Sequence, residues 1–303
     1  MGLSCPAAFF ALLAITPAIA GSSAAKSPSE SANFFHPERR VFPSSSKGRA
    51  AGAALVGSTK WGFEGQFVRL TWRLKPAVGN CVVTTLSLLN SDKIFARKEG
   101  HWSEIAIDLW GGAASDRSKP QFQTQFVTYD KPNDGPAVPG RKHRLVHSEK
   151  VPKVFDGAFH DFQVEWSTAR KGGPSPELIF RVDGVEIRHE RGGDLERLEG
   201  YLEPHTAVWV VNPNNAWACF GEAKPPEASE AVLASLTAET LESGQEWVLA
   251  DVQKFPNVAS VNKSFVLADW GFPSFDGRYC PKNVRWSQAG QVRLLLTEQC
   301  PLP

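Results

Sequence analysis

The sequence predicts an all-β protein, a sandwich of two antiparallel sheets. Three observations lead there. Apolar and polar residues alternate with period two in many short runs, and a helical period is nearly absent. Turn-forming residues are abundant, with 22 Pro and 25 Gly, and they fall between these runs. Aromatic residues are plentiful, 10 Trp and 19 Phe against a single Met, which suits broad, half-buried strand faces.

The elements follow in order. Residues 1–20 read as a secretory signal: an apolar run from Ala7 to Ile15, the small-x-small site Ala18-Ile19-Ala20, then Gly21. Residues 21–50, rich in Ser, Pro, Lys and Arg, read as a flexible lead-in, and residues 51–303 as one sandwich domain. Phe67 to Lys75 alternates and Pro76 ends it; Cys81 to Leu89 has the β-branched, apolar look of a buried strand. Residues 102–110 and 122–129 alternate again, and residues 130–158 read as a long loop. Phe162–Trp166 and Leu178–Val182 are strands, and Asp183-Gly184 is a hairpin turn into Val185–Ile187. Ala207–Val211 is a strand, residues 221–230 a Pro/Glu-rich loop, and Val232–Leu241 fits either a strand or a short helix. Trp247–Val252, Ser264–Ala268, Asn283–Trp286 and Gln291–Thr297 complete the set.

Composition narrows the function. The apolar fraction of 42% and charged fraction of 21% are those of an ordinary globular domain. A net charge of +1 supplies no field for nucleic acid or an anionic membrane, so neither partner is expected, and the chain is expected to be a monomer. Export would leave Cys81, Cys219, Cys280 and Cys300, an even number in an oxidising compartment, with the pairing open. No Gly-x-Ser-x-Gly elbow, Walker loop, Cys-x-x-Cys or His-Glu-x-x-His occurs, and no cofactor or metal is expected.

One strand carries the chemistry. In Trp102-Ser103-Glu104-Ile105-Ala106-Ile107-Asp108-Leu109-Trp110, alternation puts Ile105, Ile107 and Leu109 on one face and Glu104, Ala106 and Asp108 on the other. Core packing asks for no acids, so that second face is either solvated or the floor of an open site. Two carboxylates four residues apart stand about 13 Å apart at Cα. Side chains leaning together can approach the ~5.5 Å of a retaining glycosidase pair.

This strand resembles the Glu-x-Asp-x-Glu signature of glycoside hydrolase family 16, the lichenase and laminarinase family. Gly65–Arg69 with Lys75-Pro76, Phe122–Phe126, Phe159-His160-Asp161-Phe162 with Glu165-Trp166, Phe180–Gly184 and Trp217 are similar to further family segments. The resemblance implies a concanavalin A-like jelly-roll sandwich with a sugar cleft, Glu104 as nucleophile and Asp108 as acid/base. It implies that Trp102 stacks on a sugar and that Gln123 and Gln125 bond sugar hydroxyls. Trp110 and Trp270 are candidate sugar platforms, at even odds with packing. Two positions depart from the family: Ala106 replaces its Asp, and Asp108 is one methylene shorter than its Glu. Segments resembling the family's beginning, Phe265–Asp269, Asn283-Val284 and Leu294–Thr297, come last here, which implies a circularly permuted strand order. The same comparison implies a Cys280–Cys300 disulfide. The expected function is a secreted or periplasmic endo-acting hydrolase, or transglycosylase, of a β-linked glucan or bacterial exopolysaccharide. The alternative is an inactive carbohydrate-binding protein on the same sandwich.

Overall fold

The structure, a computed structural model, describes residues 50–62, 66–90, 102–112, 122–129, 142–147, 153–169, 172–198, 201–211, 228–241, 246–254, 265–267, 277–287 and 289–297. The signal and lead-in expected over residues 1–49, together with Trp217, Cys219, Trp270 and Cys300, lie outside the described residues.

Residues 40–303 form a compact unit that holds every described strand. In order these are β1 (Ala50–Gly57), β2 (Phe67–Lys75), β3 (Val82–Leu89), β4 (Trp102–Trp110), β5 (Phe122–Tyr129), β6 (Lys142–His147), β7 (His160–Ser167) and β8 (Glu177–Val182). Then come β9 (Val185–Arg191), β10 (Glu203–Val210), β11 (Ala228–Leu241), β12 (Trp247–Lys254), β13 (Phe265–Leu267), β14 (Gly277–Tyr279), β15 (Val284–Trp286) and β16 (Val292–Thr297). Hydrogen bonding orders them β6-β5-β4-β3-β10-β1-β16-β11-β2-β7-β8-β9, with β12 on β11, β13 and β14 on β1, and β15 on β16. Among the described strands every pairing is antiparallel except β14 beside β1.

The architecture is a β-sandwich. One layer runs from β6 to β1, the other from β16 to β9. Between them lie Leu86, Leu88, Ile105, Ile107, Leu109 and Phe122 from the first layer and Leu70, Trp72, Phe162, Trp166 and Phe180 from the second. Two side chains, Trp72 and Arg188, tie the layers through this core. The indole N–H of Trp72 donates to Thr206 Oγ1 at 3.1 Å, and Arg188 Nη1 donates to the Thr124 carbonyl at 2.9 Å. Burying the Trp72 indole with a partner for its N–H avoids the cost of an unsatisfied polar group.

Several elements differ from expectation. Ala50–Gly57 (AAGAALVG) starts at the last residue of the expected lead-in and is a strand that the alternation did not announce, Ala and Gly being poor strand formers. It is nonetheless central, held between β10 and β16. Small side chains fit there: a Cβ on Gly57 would lie 2.6 Å from Pro204 Cγ on β10. Lys142–His147 falls within the expected loop 130–158 but forms the outermost described strand of its layer. Val232–Leu241 is strand, not helix; it is part of β11, whose register shifts at Leu233/Ser235 and Ala238/Glu239 let it serve three neighbours. The hairpin expected at Asp183-Gly184 is present, with both residues in the left-handed region at φ 50° and 78°.

His160 clamps that hairpin. Its Nδ1 lies 2.7 Å from Asp183 Oδ2 and its Nε2 3.0 Å from Asp156 Oδ1. With a carboxylate on each nitrogen, only the imidazolium satisfies both. Burial alone would lower the His160 pKa, but the hydrogen bonds to Asp183 and Asp156 and their charges outweigh it and raise it. Asp156 is lowered, first by the Ala158 N–H and then by His160.

Two predictions follow from this packing. Ile107→Ala, at a position with no exposed surface, should cost about 2–5 kcal/mol in a denaturant titration. The clamp gives a pH dependence of fixed sign. The His160 contribution is complete below its unfolded pKa of about 6.5 and fades as pH rises through its higher folded value. The Asp156 contribution is present above the ordinary carboxylate value and fades as pH falls through its depressed one. Melting temperature should therefore decline on the alkaline side in the wild type, with a flatter slope in His160→Gln.

Candidate active site

Strand β4 divides as its alternation predicts. Ile105, Ile107 and Leu109 have no exposed surface and sit in the core. Glu104, Ala106 and Asp108 point to the opposite face of the layer. The register fixes their neighbours on that face. Glu104 lies between Leu89 of β3 and Val127 of β5, Ala106 between Ser87 and Gln125, and Asp108 between Thr85 and Gln123.

The expected open trough is not what surrounds Asp108. Glu104 is half-buried, but Asp108 is only 5% exposed. The reason is its neighbours: Thr85 Oγ1 lies 2.6 Å from Asp108 Oδ1, and the amide nitrogens of Gln123 and Gln125 donate to Oδ2 at 3.0 and 3.4 Å. All three groups are uncharged. Burial pushes the Asp108 carboxyl above the ordinary carboxylate range, against the hydrogen bonds of Thr85 and Gln123, which pull it down. The arrangement yields one partly exposed carboxyl and one enclosed carboxyl biased toward holding its proton. Such unequal pairs divide the roles of base or nucleophile and acid.

The other expected residues fall out as follows. Gln123 and Gln125 stand on the correct face, and their amide nitrogens are engaged with Asp108. Trp110 is on the same face but 3% exposed, packed rather than offered as a platform. Trp102 begins β4 opposite Tyr129. Cys280 is disulfide-bonded, as is Cys81; Cys300, the expected partner of Cys280, and Trp270 lie outside the described residues. A cavity of about 470 Å³ opens on the other layer, against Lys75, Val78, Phe155 and Arg293, and neither acid lines it.

The fold brings further residues to this face that the sequence did not single out. Trp209 of β10 donates its indole N–H to Thr85 Oγ1 at 2.8 Å. Glu203 of β10 pairs with Leu89, which pairs with Glu104, so a third carboxylate stands two strands from the nucleophile candidate, about 10 Å away. Glu203 is bridged to Lys60 at 3.4 Å. Tyr279 of β14 is 6% exposed, and burial together with the charges of Asp108 and Glu104 pushes its phenol far above the usual range. The signal for Glu203 was masked by Pro204, which reads as a strand break. Thr85 was detectable by alternation, being out of phase with core-facing Thr84 and Leu86. Among the described residues no group of three or more His, Cys, Asp or Glu could hold a metal ion, and no helix is long and apolar enough to cross a membrane.

No family model matches the chain, and no curated protein matches it. Among solved structures it is similar to a β-glucanase of Bacillus licheniformis, at 14% identity over 54% of this chain and 62% of that one, with a TM-score of 0.33. It is similar to Crh5 transglycosylase in complex with NAG, at 16% identity over 68% of this chain and 73% of that one, TM-score 0.37. A third likeness is to a glycoside hydrolase family 16 endo-glucanase from Bacteroides ovatus, at 12% identity over 62% of this chain and 80% of that one, TM-score 0.40. These likenesses are faint, and the chemistry below rests on the side chains.

The enclosed phenol gives a direct check. Tyr279 should remain protonated where an ordinary phenol ionises, at about pH 10. Tyr279→Phe should therefore leave the tyrosinate absorbance of the folded protein at that pH unchanged; a loss of signal would place Tyr279 in an open, ordinary environment.

Proposed function

We propose that the chain is a secreted glycan-active enzyme of the glycoside hydrolase type, with Glu104 as nucleophile and Asp108 as general acid. One observation carries this reading. A half-buried carboxyl and a buried carboxyl project from the same face of one rigid strand, and the described donors on the buried one are all neutral. In the first step Glu104 attacks the anomeric carbon. The glycosidic C–O bond breaks, and Asp108 gives its proton to the departing oxygen. In the second, Asp108 takes a proton from water as that water attacks the same carbon and frees Glu104. The missing methylene at Asp108 withdraws its carboxyl by about 1.5 Å, toward the spacing at which inversion takes over. A β-linked glucan or bacterial exopolysaccharide is the substrate class.

The permuted strand order belongs to the same reading. The last strands complete the middle of the sandwich: β13 and β14 pair with β1, and β16 lies between β1 and β11. That placement supports new chain ends within an older loop. A Cys280–Cys300 bridge would pin the end of β16 beside the turn that begins at Pro281. A second reading, a carbohydrate-binding protein without turnover, is favoured by Ala106 and by the enclosure of Asp108.

Release of reducing ends from β-1,3, β-1,4 and mixed-linked glucans and from exopolysaccharide separates the two. The hydrolase reading expects turnover that Glu104→Gln abolishes and Asp108→Asn slows by about 10²- to 10⁴-fold. Turnover in Glu104→Gln equal to wild type would end it, and micromolar oligosaccharide binding without cleavage would favour the second.

A further inference from the structure

Asp108 is held by a chain of hydrogen bonds that starts two strands away. Trp209 on β10 donates to Thr85 on β3 at 2.8 Å, and Thr85 Oγ1 lies 2.6 Å from Asp108 Oδ1 on β4. An indole N–H can only donate, so the Thr85 oxygen commits a lone pair to Trp209. Its own proton is then available to the carboxylate, and 2.6 Å falls in the range of charge-assisted O–H···O⁻ bonds. The other carboxylate oxygen, Oδ2, already faces two amide N–H donors, from Gln123 and Gln125. Thr85 therefore fixes Oδ1 while the amides fix Oδ2, and its bond to the anion opposes the proton that burial favours. The β-branched side chain restricts the χ1 angle of Thr85, and its strand is central in the layer, so the hydroxyl is held in place.

We propose that Thr85, aimed by the indole of Trp209, is the positioning residue that orients the Asp108 carboxyl and sets how tightly it holds a proton. This rests on Asp108 being the acid of the proposed reaction. Thr85 acts only through Asp108. Among the described side chains, the other titratable groups facing this carboxyl are Glu104 on its own strand, Glu203 and His205 on β10, and Tyr279 on β14; Thr85 and Ser87 from β3 and the described β5 side chains Gln123 and Gln125 carry no charge. Each of these stays in place in the variants below, so a change in Asp108 reports on the relay.

The test is a carbon-13 NMR titration of the Asp108 carboxyl, without substrate, in the full chain. Thr85→Val removes the donor to the anion and should raise the midpoint, by about a tenfold change in proton affinity. Thr85→Ser should restore it. Trp209→Phe should raise it by less, because the hydroxyl remains but loses its orienting partner. In the Thr85→Val background Trp209→Phe should add nothing, since the indole works through the hydroxyl. An unmoved midpoint in Thr85→Val, or a Trp209→Phe shift that survives the loss of the hydroxyl, overturns the proposal, even if both variants melt earlier. Should Thr85→Val fail to fold, Trp209→Phe against wild type decides by the same sign. Because the titration needs no turnover, it answers separately from the hydrolase assay. In an active enzyme the alkaline limb of kcat/KM should move upward with the midpoint in Thr85→Val and return in Thr85→Ser.

Discussion

Strand β4 is buried on both faces except at Glu104, and this constrains everything beside it. On one face Ile105, Ile107 and Leu109 complete the core; on the other Asp108 is nearly enclosed among polar neighbours. A slip of one residue would exchange the faces, driving Glu104 and Asp108 into the core and the three aliphatic side chains out of it. Burying an unpaired carboxylate costs several kcal/mol, and stripping each aliphatic side chain from the core costs about 1.5–3 kcal/mol more. The apolar half of the strand thereby fixes the register of the polar half. That register, and no local preference of the acids themselves, sets Thr85 and Gln123 on either side of Asp108.

The same logic explains what Ala106 does. Its register partner on β5 is Gln125, yet the Gln125 amide reaches diagonally to Asp108 at 3.4 Å. A methyl group leaves room for that diagonal; a carboxylate at position 106 would attract the amide and add a third negative charge between Glu104 and Asp108. Ala106 and the second amide donor on Asp108 thus go together. With alanine at 106, the described groups that hold Asp108 are neutral dipoles.

Legibility followed the strength of the local pattern. The alternation in residues 102–110 was readable because three aliphatic residues interleave with acids, and the Asp183-Gly184 turn because its backbone demands those residue types. Strand β1 was not readable: its Ala/Gly composition answers to tertiary crowding against Pro204, which no local propensity encodes. Strand β6 was hidden because its basic sequence lacks the apolar alternation that marks a strand. At the site, Glu104 and Asp108 were legible as a spacing, while Trp209, Glu203 and Tyr279 arrive from strands distant in the chain. The openness of the site was misjudged because alternation tells which way a side chain points and says nothing about what lies over it.

A buried carboxylate elsewhere in the molecule shows what a purely structural one looks like. Glu165 on β7 is 3% exposed, and its Oε1 accepts from Arg69 at 2.9 Å and from Arg181 at 3.1 Å. Two guanidinium groups neutralise it, as the desolvation of an anion requires. Asp108 is about as deeply buried, yet its partners are a hydroxyl and two amides, and the nearest charge on its own strand face, Glu104, has the same sign. Neutral donors hold a carboxyl in place without forcing it to stay ionised. A chain able to bury Glu165 with two arginines had the means to do the same for Asp108. With only neutral donors on Asp108 among the described residues, proton uptake stays within reach, which a structural carboxylate does not need and a proton donor does.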